Sequence, residues 1–341
     1  MLTHVALFAG LGGFIVAGNR NGFRTVFANE VEEACGFVLR HNFPEATLYL
    51  RDVRELHSSE FSELNEGIDV LSAGFPCQSF SVAGENLGFD DERGRLFFEI
   101  PRICSEMEKF PKVLLLENVA NLKNFDGGAR LKTVINELRR IGYWFSESNA
   151  QVMDSYEYAY TPQKRSRLFM VAVHSDYFRK NKFQFPLPNQ GKSTKNLWDF
   201  VKKDSPGNMR YYLDPENKYA RMIQRCAAEV GDNRLFQIRR IDVRACPENI
   251  CPTLTANMGG GGHNVPFLVD SLGVRRLSIP EVCALQCLRP TEFSFPMGMT
   301  ESTILTMLGN AICIDVADRL FLSIRELLKE VCADEPALEL S

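Results

Sequence analysis

No apolar run in this chain reaches the roughly 18–20 residues that a membrane-spanning helix needs, so no membrane partner is expected. The stretch V-A-L-F-A-G-L-G-G-F-I-V-A-G near the start is apolar, but no Lys or Arg precedes it and four glycines interrupt it. It reads as a buried strand and a turn rather than an export signal. Without such a signal the expected location is cytoplasmic and reducing. The chain also lacks a C-x-x-C pair and a matching histidine pair. Its ten cysteines therefore read as thiols rather than a disulfide framework, and no metal site is expected. The glycine turn after the first strand lacks the G-x-G-x-x-G pattern, because Ile15 stands where the third glycine belongs, and it lacks the Lys-Ser/Thr ending of a phosphate loop. Net charge is only -4, yet residues 151–280 carry 20 Lys+Arg against 12 Asp+Glu. That uneven distribution points to a basic face aimed at a polyanion, with a merely solvated basic surface as the alternative.

What the chain does have is alternation. A length of 341 residues suits one large domain, or one large and one small. Apolar runs bounded by turn residues predict strands at His4–Phe8, Thr25–Asn29, Thr47–Leu50, Asp69–Ala73 and Val113–Leu116. Helical spacing falls between them at Glu32–His41, Leu96–Glu108 and Ala129–Ile141. Short strands alternating with helices imply an α/β fold, a doubly wound and mostly parallel sheet covered on both faces. Phe145–Met153 and Leu168–Val173 read as a hairpin at the sheet edge.

Special residues follow each predicted strand. They are the turn Phe8-Ala9-Gly10-Leu11-Gly12-Gly13, then Glu30, Asp52, Pro76-Cys77 and Glu117-Asn118-Val119. In a parallel sheet all these carboxyl ends share one edge, where open α/β folds bind ligands. The glycine turn permits close backbone approach. Glu30 suits ribose hydroxyls, and Asp52 suits an exocyclic amine. Each acid alone is equally a helix cap or a solvated side chain. Together with the turn they suggest a nucleoside-bearing cofactor.

Cys77 alone would be a buried, inert thiol. Pro76 before it and the glycine-bearing, charged stretch Gly84 to Arg95 behind it instead suggest a nucleophile under a closing cover. Arg165 and Arg167, in P-Q-K-R-S-R, would stabilise a thiolate if that strand returns to the same edge. Glu117 follows an almost wholly apolar strand, which favours a proton-holding carboxyl; capping the next helix is the plainer alternative. A thiol and a carboxyl at adjacent strand ends fit addition to a heterocycle.

These residues together resemble the DNA (cytosine-5) methyltransferase family of the bacterial restriction-modification type. Six motifs carry the likeness in the family's order: F-A-G-L-G-G-F, G-F-P-C-Q-S-F-S, E-N-V, Q-K-R-S-R at 163–167, R-L-S-I-P-E at 276–281 and G-N-A at 309–311. The resemblance implies a Rossmann-like S-adenosylmethionine-dependent catalytic domain over 1–187 and 303–341, and a smaller target-recognition domain over 188–302. By the same resemblance Cys77 adds to carbon 6 of a flipped-out cytosine and Glu117 engages ring nitrogen 3 and the amino group. Arg165 holds the base carbonyl and positions Cys77, and Arg167 supports the site. S-adenosyl-L-methionine, leaving as S-adenosyl-L-homocysteine, would be held by Phe8, Gly10, Gly12, Gly13, Glu30, Val31, Asp52, Val53, Pro76, Leu96 and Asn310. Val31 departs from the pattern, since an aromatic often stands there. Gln78 and Ser81 would support the flipped state. Thr253 and Leu254 match the Thr-Leu pair of the recognition domain. Arg239, Arg240 and Arg244 are candidate phosphate contacts, beside Tyr211-Tyr212 and the run Gly259–Gly262, which is either a groove loop or a flexible link. Double-stranded DNA is the implied partner of a monomer, with a cognate restriction endonuclease in the same cell. A transfer RNA cytosine-5 methyltransferase and a catalytically inactive DNA-binding regulator are the alternatives. A last helix is expected over Glu301–Val331, followed by a loose tail.

Overall fold

The structure is a computed structural model that describes residues 1–76, 94–189, 196–204, 206–239 and 241–334. The described residues cluster into two compact units. One lies within Met1–Met153, Ser166–Leu187 and Ala317–Ser341, the other within Asp154–Arg165 and Pro188–Val316. Residues 154–165 and 303–316, expected with the larger domain, cluster with the smaller. Among the described residues no helix is long and apolar enough to cross a membrane.

The first unit is built on an eight-stranded sheet. Its strands are β1 (Leu2–Leu7), β2 (Phe23–Asn29), β3 (Thr47–Tyr49), β4 (Val70–Gly74), β5 (Val113–Val119), β6 (Tyr143–Trp144), β7 (Ala150–Asp154) and β8 (Ser166–His174). The order is β3-β2-β1-β4-β5-β8-β6, with β7 also paired to β8. Strands β1 to β5 run parallel, and β8 runs antiparallel to β5. This is the expected doubly wound, mostly parallel α/β sheet. Alternation along β1 explains its two covered faces. Val5 and Leu7 point to a core shared with the helices Glu99–Glu106 and Ala129–Arg140. His4 points the other way, edge-on to Phe321 of the final helix. Its ring spans three strands, with Nδ1 2.8 Å from Thr25 Oγ1 and Nε2 2.8 Å from Ser72 Oγ. Burial lowers its pKa to about 3, so the ring is neutral and both nitrogens serve the strand contacts.

The pair expected over 145–153 and 168–173 forms at the far end of the sheet, where β7 pairs with β8; β8 itself lies between β5 and β6, buried along most of its length, because its run L-F-M-V-A-V is apolar on both faces. Two local expectations are corrected. The helix expected from Leu96 opens as a 3-10 segment, Gly94–Phe98, before the α-helix Glu99–Glu106. The last helix is two, Glu301–Asn310 and Ile314–Asp334.

The second unit holds an antiparallel sheet in the order β10-β9-β11-β12. These strands are β9 (Phe236–Ile238), β10 (Val243–Ala245), β11 (Pro266–Asp270) and β12 (Gly273–Arg276). One face packs Phe236, Ile238, Val243, Phe267 and Val274 against Ala220, Ile223 and Ala227 of the helix Lys218–Val230. The glycine run is not a plain link. Asn257–Gly260 is a helical turn, and a Cβ at Gly259 would lie 2.0 Å from Thr306 Oγ1 and 2.2 Å from the Ser302 carbonyl oxygen. Gly309 meets the backbone of Thr255 as closely, at 2.2 Å. Gly309→Ala is therefore expected to destabilise the protein by about 1–3 kcal/mol through overpacking, read as a lowered midpoint in urea with unchanged slope. Tyr211 and Tyr212 are framework residues: Tyr211 is buried with its hydroxyl on Glu301, and the Tyr212 hydroxyl donates to Asp270.

Candidate active site

The strand order reverses between β1 and β4, because the chain winds outward from β1 to β3 and then returns to place β4 on β1's other side. Such a switch point opens a crevice at the carboxyl ends of the strands. The turn after β1 and the segment Phe75–Pro76 after β4 both leave the sheet there. Antiparallel β8 brings its amino end to the same edge, with Arg167 opposite Val119 in register.

Gly74 pairs in register with Glu117. A Cβ at Gly74 would lie 3.4 Å from Glu117 Oε2, so the absent side chain leaves room for the carboxylate. Glu117 Oε1 forms an ion pair with Arg167 Nε at 3.1 Å, and both side chains are mostly buried. Glu117 does not cap a helix, since the 3-10 turn that follows, Ala120–Lys123, has no side-chain cap. Its neighbour Asn118 is fully enclosed. Asn118 Nδ2 donates to the Phe75 carbonyl at 3.1 Å, and Oδ1 accepts from Val119 N at 2.8 Å. The end of β5 thereby holds the backbone two residues before Cys77. Cys77, Gln78 and Ser81 lie outside the described residues, as do Arg240, the tail and nearly all of Gly84 to Arg95.

Arg165 and Arg167 are placed differently from expectation. Arg165 is 2% exposed. Its Nη1 donates to the Leu254 carbonyl at 2.6 Å and its Nη2 to the Gly309 carbonyl at 3.1 Å. Arg167 is the arginine on the catalytic-edge carboxylate. Two residues apart, one guanidinium serves the backbone of the second unit and the other serves Glu117.

Of the expected cofactor residues, Glu30 meets the first turn directly. Phe8 has φ +53, Gly10 +56 and Gly12 +96. A positive φ at Phe8 is strained for a non-glycine residue, a feature that clusters at ligand clamps. A Cβ at Gly12 would strike the Phe43 ring at 2.4 Å, whereas Gly10 faces open space. Gly13 begins the helix Gly13–Arg20. Glu30 Oε2 accepts from Gly10 N at 2.6 Å, and Oε1 accepts from Val31 N and Glu32 N, each at 2.9 Å. A carboxylate has about four acceptor sites, so Glu30 retains room for one further donor rather than two. Asp52 is similar. Its Oδ1 accepts from Arg54 N and Nε, and its Oδ2 from Arg54 Nη2. Those side-chain hydrogen bonds from Arg54 hold the Asp52 carboxyl below the usual carboxylate range. Both acids accept hydrogen bonds just after their strands, Glu30 on the open glycine turn and Asp52 on Arg54, a set that fits a nucleoside with free hydroxyls and an amine. Val31 is exposed and Pro76 and Leu96 are half-buried, but Val53 is 3% exposed within the core and offers no free face. Asn310, in the second unit, is exposed.

The recognition candidates divide in the same way. Leu254 is fully buried and the Thr253 hydroxyl donates to the Lys164 carbonyl at 2.7 Å, so this pair is an anchor in the second unit. Arg239 donates to Asn264, while Arg244 is exposed. Eight of the cysteines, Cys35 to Cys313 without Cys77, are free thiols. Burial pushes Cys35, Cys104 and Cys283 up to about 12 and Cys246 up to about 11. Such thiols are protonated at neutral pH and poor nucleophiles. Sequence reasoning missed Asn118, Gln163 and Gln286 as organisers. Asn118 and Gln163 stand inside the E-N-V and Q-K-R-S-R motifs, but residue type alone does not give the organising role.

Residues 2–326 match the family model described as C-5 cytosine-specific DNA methylase. Type II methyltransferase M.Bsp6I of Bacillus sp. (strain RFL6) is 34% identical over 323 residues, spanning 94% of this chain and 97% of that protein. Type II methyltransferase M.HaeII of Haemophilus aegyptius is 31% identical over 312 residues, spanning 92% and 89%. The crystal structure of S. pombe Dnmt2 methyltransferase shares the fold, with a TM-score of 0.70 at 18% identity over 96% of this chain and 99% of that one. With the model spanning nearly the whole chain and Glu117 paired to Arg167 beside the strand that leads to Cys77, the chain belongs to the C-5 cytosine-specific DNA methylase family.

Proposed function

We propose that this protein methylates carbon 5 of one cytosine in a short duplex DNA site, through a covalent adduct at Cys77. The observation that carries the reading is the Glu117–Arg167 pair over Gly74, three residues before Cys77. The target base must leave the stack to reach such an edge. The Cys77 thiolate adds to carbon 6, and the ring electrons move toward carbon 5. Glu117 holds a proton against ring nitrogen 3 and accepts from the amino group, which stabilises the electron-rich ring. Arg167, rather than Arg165, donates to the base carbonyl and fixes the carboxylate. S-adenosylmethionine, when bound, supplies an electrophilic methyl on a sulfonium. Loss of the carbon-5 proton to a base then lets the carbon–sulfur bond break, its electron pair returning to sulfur to regenerate the thiolate.

The cofactor is assigned to Phe8, Gly10, Gly12 and Gly13 at its methionine end. Glu30 takes one ribose hydroxyl and Asp52 the adenine amine, with Val31, Pro76 and Leu96 completing the contacts. Residues around Arg239, Arg240 and Arg244 take phosphates, and the larger unit is catalytic while the smaller recognises the site. Gln78 and Ser81 hold the flipped state. The protein acts as a cytoplasmic monomer at sites that a cognate restriction endonuclease would cut.

Labelled-methyl transfer to unmethylated duplex DNA and to transfer RNA, followed by bisulfite sequencing, tests the reading. Label at one cytosine of a short duplex site is expected. Label in RNA alone, or none in either, would replace it with one of the two alternatives. Duplex affinity should also fall steeply with salt, since each neutralised phosphate adds about -0.9 to the slope of log K against log salt. A flat response in a filter-binding titration would remove the phosphate contacts.

A further inference from the structure

Cys287 and Cys313 bring two sulfurs together in a part of the second unit that the proposed chemistry does not use. Cys287 lies just past the helix Ile279–Leu285, and Cys313 stands directly before the helix Ile314–Asp334. The Cys313 thiol donates to Cys287 Sγ at 3.7 Å, and the Cys287 thiol lies 3.9 Å from the Tyr160 carbonyl oxygen.

The backbone at Cys287 is a second, separate observation. Its φ is +59, in the left-handed region that glycine enters freely and other residues enter at a cost. Helices commonly end on a glycine in that conformation. The same ending occurs here, with Cys287 N donating to the Ala284 carbonyl and Leu288 N to the Cys283 carbonyl. A cysteine therefore stands where glycine would be easier, and its sulfur meets a second sulfur. Backbone strain of this kind clusters at functional positions.

The surrounding contacts fix the register of the two segments. Ile314 N donates to the Gln286 carbonyl at 3.0 Å, and Gln286 Nε2 donates to the Leu308 carbonyl at 2.8 Å. Arg289 pairs with Asp315 at 3.7 Å. The sulfurs need approach by only about 1.7 Å to reach a disulfide bond length of about 2.05 Å. Cys287 is 8% exposed and Cys313 4%, so an oxidant that reaches them must be small.

We propose that Cys287 and Cys313 are a reversible oxidation site for hydrogen peroxide, whose disulfide staples the second unit. The hydrogen bond from Cys313, together with burial, holds the Cys287 thiol well above the usual thiol range, so Cys313 meets the oxidant first. The Cys313 sulfur attacks a peroxide oxygen, the O–O bond breaks, and the leaving hydroxide takes the thiol proton as water. The Cys287 sulfur then attacks the Cys313 sulfenic acid, the S–O bond breaks, and a second water leaves. Two thiols lose two electrons in all, and one peroxide gains them. The new bond spans 26 positions, and such a crosslink restricts the unfolded chain.

Peptide mapping of the full-length protein after brief treatment with hydrogen peroxide tests the site. The expected product is a Cys287–Cys313 linkage, lighter by two hydrogens and reversed by dithiothreitol. The linked protein should melt roughly 5 °C higher than the reduced one. Cys287→Gly, which suits the left-handed backbone, and Cys313→Ser should give neither the bond nor the shift. If one variant does not fold, the other and the reversal by dithiothreitol supply the control. Oxidation of other cysteines with no linkage at this pair overturns the site. A linkage that leaves the melting temperature unchanged or lower overturns the stapling.

Discussion

Cys77→Ala is expected to take methyl transfer to background while leaving duplex binding largely intact. The reason lies in the electronics of cytosine. Carbon 5 is too weak a nucleophile to take a methyl group unaided, and only addition at carbon 6 raises its electron density. Alanine cannot add, yet it removes no phosphate contact, so binding and chemistry should separate cleanly. The same step gives a positive result. Duplex containing 5-fluorocytosine should trap a stable adduct, because fluorine cannot leave as the proton does. Peptide mapping should place the adduct on Cys77. Burial raises the thiol pKa of Cys35, Cys104 and Cys251, which leaves them slow as nucleophiles. Retained turnover in Cys77→Ala, or label on another cysteine, would end the covalent mechanism.

Glu117→Gln should lower kcat by about 10²–10⁴-fold, the usual worth of a positioned proton-transferring group, with cofactor affinity unchanged. The amide keeps the shape over Gly74 but cannot hold the proton. Arg167→Ala should cost roughly 10²–10³-fold in kcat, as loss of one well-aimed donor does. Arg165→Ala provides the contrast. It leaves the Leu254 and Gly309 carbonyls unmet inside the second unit, at about 1–3 kcal/mol each, so its main effect should be a lower melting temperature. Single-turnover rates and thermal melts on the pair of variants decide the assignment. If Arg165→Ala melts normally and loses only the chemical step, the two arginines have been assigned the wrong way round.

The exchange between these arginines shows where legibility stopped. Q-K-R-S-R places two guanidiniums near one strand start, and nothing in residue type says which one turns toward β5. The register does: Val119 stands opposite Arg167, and Glu117 lies two residues back along the same strand. Leu254 is buried for a similar reason, since a motif can mark a seam of the interior as readily as a contact with ligand. Tyr211-Tyr212 reads by composition as an aromatic pair among basic residues, yet packing absorbed Tyr211 and Asp270 absorbed the Tyr212 hydroxyl.

The amino-acid sequence by itself determined the alternation of strand and helix, the parallel core and the row of special residues at its carboxyl edge. Those follow from hydrophobic period and turn chemistry, which act over a few neighbouring residues. Only the tertiary structure decided that β8 enters antiparallel beside β5, that Arg167 meets Glu117, and that Glu30 has one acceptor site to spare. Each of these depends on which distant backbone groups arrive at hydrogen-bonding distance, and no local pattern encodes that.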